Sequence, residues 1–109
     1  MLRITKHIIL VGNSSRHLIA LQQRIREIAP EAESHISDIC SIREQLLQRK
    51  VDMILIYTRD DKTGFPYVQR IRQEALADSI PVFVFLEPLA EAVLKALLNG
   101  GCSYSNKLG

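Results

Sequence analysis

Cysteine is scarce: Cys40 and Cys102 stand far apart in the 109-residue chain, with no CxxC spacing. That pattern supports neither a disulfide framework nor a multi-cysteine metal centre, and it suits a reduced, intracellular protein in which both cysteines pack as small residues. Long apolar runs are missing as well. The N-terminal Met-Leu-Arg-Ile-Thr-Lys-His leads only into Ile8-Ile9-Leu10-Val11 before Gly12, which is too short for a signal-peptide core or a membrane span. The expectation is a cytoplasmic protein with no membrane segment. No block of like charge occurs: 14 basic and 12 acidic residues are interspersed and leave a net charge of +2, so nothing tracks a nucleic-acid backbone. No linker, repeat or low-complexity tract divides the chain, which reads as one domain over residues 1–109. What is present is an ordinary globular composition with 47% apolar residues, enough to build a core without a structural metal, a disulfide or a cofactor.

Those apolar residues come in short runs that alternate with amphipathic segments, the signature of βαβ units around a parallel sheet. Ile8–Val11 is a continuous, largely β-branched run of the kind a strand buried on both faces requires. Ser14 or Ser15 then caps a helix whose Leu18, Leu21, Ile25 and Ile28 recur at intervals of three and four, ending at Pro30. Glu33–Ser37 reads as a short polar edge strand, followed by a helix with Ile42, Leu46 and Leu47 inward. Met53–Tyr57 is the third strand, and a charged loop, Thr58–Gly64, follows it. Pro66 opens a third helix with Val68, Ile71, Ala75 and Leu76 as its stripe, and Pro81–Leu86 is the fourth strand. Pro88 starts a helix over Leu89–Leu98, closed by Gly100 and Gly101, and Cys102–Ser105 reads as a fifth strand.

In such a sheet the ligand site lies at the carboxyl ends of the strands. The residues there are Gly12, Asn13, Ser14, Tyr57 to Asp61, Leu86, Glu87 and Lys107. Val51-Asp52-Met53-Ile54-Leu55-Ile56, Ile80-Pro81-Val82 and Gly100-Gly101-Cys102-Ser103-Tyr104-Ser105-Asn106-Lys107 carry a resemblance to the receiver domain of response regulators, which extends from His7 through Lys107. The resemblance implies a flavodoxin-like three-layer α/β/α sandwich with a five-stranded parallel sheet in the order 2-1-3-4-5, its final helix truncated or absent. A working receiver of two-component signal transduction holds Mg²⁺ on an acidic pair after strand one, takes the phosphoryl group on an aspartate ending strand three, and uses a Ser/Thr after strand four and a lysine after strand five. Laid on this chain, the acidic pair falls on Gly12 and Asn13, the acceptor on Tyr57 and the hydroxyl residue on Leu86. Only Lys107 matches, and Leu108 replaces the proline that usually follows it.

Each departure has its own chemical consequence. Mg²⁺ wants carboxylate oxygens in near-octahedral geometry, and Gly12 with Asn13 offers at most one neutral side-chain carbonyl. Tyr57 forms no acyl phosphate, and without the metal the transfer loses its main electrostatic help. Asp60 and Asp61 are a possible displaced acidic site, although adjacent loop carboxylates are more often a solvated turn. His7, His17 and His35 share no spacing and read as boundary histidines, not as metal ligands. The expectation is therefore a pseudo-receiver: no enzyme and no phosphorelay acceptor, with no metal and no cofactor, working by protein–protein contact or dimerisation. By resemblance its interaction surface includes Lys95 and Tyr104. Two alternatives stand beside it: a receiver phosphorylated at the displaced Asp60 or Asp61, and a flavodoxin-like domain binding a small anionic ligand among Asn13, Ser14, Thr58, Asp60 and Lys107. If Gly109 is the true end, the sheet face beside helix one, assigned here to Ile9, Ile54 or Ile56 and Val82 or Val84, is only half covered and calls for a partner.

Overall fold

Four strands, β1 (His7–Gly12), β2 (Glu33–Ile36), β3 (Met53–Thr58) and β4 (Val82–Leu86), form one parallel sheet in the order β2-β1-β3-β4. The structure is a computed structural model that describes the backbone of residues 6–108 and their side chains apart from those of 61 and 100–108. Strands β1 and β3 occupy the centre, which is why their runs are almost wholly buried while the polar β2 sits at an edge. Their register is continuous, with Ile8 opposite Met53 and Gly12 opposite Tyr57. The α/β class, the single parallel sheet and the 2-1-3-4 part of the expected order are as read from the sequence.

Side-chain alternation sends the core to both faces of the sheet. On one face, Ile8, Leu10, Met53, Leu55 and Phe85 meet Leu18, Leu21 and Ile25 of helix α1 (Ser15–Ile28) and Leu94, Leu97 and Leu98 of helix α4 (Glu91–Leu108). On the other, Ile9, Val11, Ile54 and Ile56 pack against Ile42 of helix α2 (Ile42–Gln48) and Ile71 of helix α3 (Asp61–Arg72). This reverses the expected assignment: Ile9, Ile54, Ile56 and Val82 belong to the α2/α3 face. The face beside α1 is covered by Leu94, Leu97 and Leu98 of α4, and so is not left half bare as expected. Arg24 of α1 and Glu91 of α4 join the two helices by a forked pair of bonds, Nε to Oε2 at 3.0 Å and Nη2 to Oε1 at 2.6 Å. Each raises the other's preference for the charged state, and Arg24 also reaches Glu27.

Among the described residues there is no fifth strand, so the sheet has the order 2-1-3-4 and not 2-1-3-4-5. Residues of the expected strand Cys102–Ser105 continue α4, and Gly100 and Gly101 lie inside the helix instead of closing it. The run from Gly100 to Leu108 contains no β-branched residue, so little favours a pleated strand once Glu91–Leu98 has started a helix of good formers. Smaller corrections have local causes. Helix α3 begins five residues before Pro66, because Asp60 caps it, and Pro66 stands in its second turn. Ala75 and Leu76 fall in a separate 3₁₀ turn with Leu76 exposed, Leu47 is exposed on the outer side of the short α2, and Cys40 is an exposed residue of the turn before α2, not a packing residue. The side chain of Cys102 lies outside the described residues.

Candidate functional site

The carboxyl ends of the strands are built from capped helix starts. Ser14 ends the β1–α1 connection in extended conformation, and its Oγ accepts the His17 N–H at 3.4 Å. Asp60 does the same for α3: its Oδ1 accepts the Thr63 N–H at 2.9 Å and the Thr63 hydroxyl at 2.8 Å. Thr58, buried at the end of β3, donates its hydroxyl to the Asp60 carbonyl at 3.2 Å. Three of the side chains expected around a small anion are thus engaged in holding the local backbone. Asn13 is exposed between Gly12 and Ser14, while the side chains of Asp61, Tyr104 and Lys107 lie outside the described residues. Lys95 is exposed on α4.

Two bonds from Thr63, the amide first and the hydroxyl second, hold the Asp60 carboxyl below its usual value of 3.8. A depressed folded value means that the stabilisation is complete above the ordinary carboxylate range and is lost as pH falls through it toward the lower folded value. Asp60→Ala is expected to lower the melting temperature by a few degrees through loss of the cap. Asp60→Asn keeps an acceptor without the charge, so its melting curve should converge on the parent's as pH drops from about 7 to about 3. Parallel curves across that range would remove the charged cap from the description.

At the carboxyl ends of β3 and β4 and the start of α1 the chain assembles a tyrosine, a histidine and a glutamate. Tyr57 of β3 pairs with Gly12 on one side and Phe85 on the other. Its ring lies 5.8 Å from the His17 ring, and His17 Nδ1 meets Glu87 Oε1 at 2.7 Å. Burial, with the Glu87 carboxylate second, pushes the Tyr57 phenol above its ordinary range. Leu86, half-buried, ends β4 opposite Thr58 and brings no hydroxyl. Among the described residues, no three metal-ligating side chains converge at this end of the sheet.

They do converge elsewhere. His7 starts β1 opposite Glu33 of β2, and His35 follows two residues later on the same face. His7 Nδ1 lies 3.4 Å from His35 Nε2 and 3.5 Å from Glu33 Oε2, with the two rings stacked at 5.6 Å. Burial first, then the charges of Arg49 and His7, hold the His35 imidazole below its usual value of 6.5, against the pull of Glu33. His7 and His35 share no spacing in the sequence and stand in different strands. Only the β1–β2 register brings them together, and the one signal in the sequence is Glu33-Ser34-His35, whose alternation puts a carboxylate and an imidazole on one face of a strand.

The chain matches no protein-family model, no curated protein and no solved structure. Among the described residues no helix is long and apolar enough to cross a membrane.

Proposed function

We propose that the chain is a non-catalytic, receiver-like interaction module that works by pairing with a second copy of itself through the outer edge of β4. One observation carries the reading. Val82-Phe83-Val84-Phe85-Leu86 has the composition of a strand buried between neighbours, yet among the described residues it pairs with β3 alone and stands at the sheet's edge. Natural edge strands are blunted by a lysine, a proline or a bulge. Here the strand carries none of these, and Val84 at 42% and the nearby Phe65 at 61% are exposed. A groove of about 450 Å³ lined by Lys62, Gly64, Phe65, Val68 and Val84 runs beside it. Two such edges are self-complementary about a two-fold axis.

The rest of the reading is negative chemistry. Gly12, Asn13, Tyr57 and Leu86 occupy the positions at which a receiver needs two carboxylates, an aspartate and a hydroxyl, and Asp60 is committed to its cap. Sedimentation velocity, with a thermal melt in Mg²⁺ and beryllofluoride, tests both halves. Expected are a dimer at about 100 μM protein, at least a tenfold weaker association for Val84→Lys, and no melting shift with the phosphoryl mimic. A monomer at that concentration, or dimerisation indifferent to Val84→Lys, would remove the edge from the proposal. A shift that needs both metal and beryllofluoride would restore a working phosphorylation site.

A further inference from the structure

We infer that His7, Glu33 and His35 form a three-ligand site for a divalent transition metal of the zinc class, at the outer margin of the β1–β2 pair and away from the carboxyl ends of the strands. Tetrahedral zinc with nitrogen and oxygen ligands at about 2.0–2.1 Å requires its ligand atoms to be about 3.4 Å apart. The separations from His7 Nδ1, 3.4 Å to His35 Nε2 and 3.5 Å to Glu33 Oε2, already have that size. The three ligand atoms all lie within 4.8 Å of one another. A cation at their centre therefore needs small side-chain adjustments and no movement of the backbone.

That backbone is held from several sides. The His7 N–H donates to Asp52 Oδ2 at 2.9 Å, the Asp52 N–H donates to the His7 carbonyl at 2.9 Å, and the Glu33 N–H donates to the Lys6 carbonyl at 2.8 Å. Gln22 Nε2 donates to the carbonyl of Ser34, the residue between the two β2 ligands, at 2.9 Å. Ligands carried on paired strands with anchored main chain are placed more accurately than ligands on a loop. Two imidazoles and one carboxylate suit Zn²⁺, Co²⁺, Ni²⁺ or Cu²⁺, whereas Mg²⁺ and Ca²⁺ prefer oxygen alone. Three protein ligands leave the fourth position of a tetrahedron open to water or an anion. Glu33 is exposed and the fourth position is open, so the affinity belongs in the micromolar range and not in that of closed structural zinc sites.

Titration of the untagged chain with ZnCl₂ at neutral pH, followed by calorimetry, tests the site. Expected are one equivalent bound with a Kd of about 10 μM, a rise in melting temperature, and the strong visible absorption of four-coordinate Co²⁺ when cobalt replaces zinc. His7→Gln and His35→Gln should each weaken binding at least tenfold, and Glu33→Gln about tenfold, while His17→Gln changes nothing and Mg²⁺ gives no signal. Failure to bind zinc below about 100 μM, or binding that survives His35→Gln, would overturn the site. Should His7→Gln lose its far-ultraviolet dichroism, the two β2 variants decide the matter, because Glu33 is exposed and His35 half-buried on an edge strand.

Discussion

Gly12→Asp, which places a carboxylate at the carboxyl end of β1, is expected to cost at least about 3 kcal/mol of folding stability. The cause is distance and not backbone conformation, since no described glycine has a positive φ. A Cβ on residue 12 would stand 2.3 Å from the carbonyl oxygen of Tyr57 and 3.2 Å from Leu18 Cδ2. The first neighbour is main chain in the central strand β3, fixed by pairing on both sides, so it cannot turn away as a side-chain tip can. Either β1 and β3 separate at their ends or α1 shifts off the sheet. Urea unfolding of Gly12→Asp beside Asn13→Asp measures the effect, the latter being an exposed position where a change within about 0.5 kcal/mol is expected. A Gly12→Asp protein within about 1 kcal/mol of the parent would mean that the two strands are not as close there as described.

Leu94→Ala is expected to cost about 3–4 kcal/mol, and Leu97→Ala a comparable amount. Both side chains are fully enclosed, at 0% and 1% exposure, between α4, α1 and the sheet. Val93, one residue earlier and exposed, faces outward, so Val93→Ala should change stability by under about 1 kcal/mol. The contrast between adjacent positions is the test of how α4 is seated. If the helix lay elsewhere and left the α1 face bare, Leu94 and Val93 would give similar, small effects in chemical denaturation.

The parts of this fold legible in the sequence are those where one local pattern decides. Ile8–Val11, Met53–Tyr57 and Val82–Leu86 are too apolar and too β-branched to be anything but interior-type strands, and Leu18, Leu21 and Ile25 mark the inner face of α1 by spacing alone. Where a long-range fact decides, the pattern is silent. Which strand face meets α1 depends on pairing register, and a shift of one residue exchanges Ile9 and Ile54 for Leu10 and Leu55. The start of α3 is hidden in Thr58–Gly64 because its cap, Asp60 with Thr63, lies in a charged stretch that reads equally as a solvated loop. The two glycines of α4 are ordinary stop signals, overridden by the helix formers before them and by the lack of β-branched residues after them. The candidate sites divide in the same way. That Gly12, Asn13 and Tyr57 carry no carboxylate is plain in the sequence, whereas the His17–Glu87 pair and the His7–Glu33–His35 group join residues from separate elements and required the structure.

The central placement of β1 also sets the order of events during synthesis. His7 and Asp52, which bond across the start of β1 and β3, are 45 residues apart, and β1 gains its central neighbour only when that second strand has been made. At about 5–20 residues per second, the ribosome takes roughly two to nine seconds to deliver it. Throughout that interval Ile8–Val11, the most water-averse stretch near the start of the chain, has only α1, the polar edge strand β2 and the short α2 to shelter against. The nascent chain thus depends on its first helices docking early: α1, with its capped start and its Leu18, Leu21 and Ile25 stripe, shields the face of Ile8 and Leu10, and Ile42 of α2 meets the face of Ile9 and Val11 until the rest arrives.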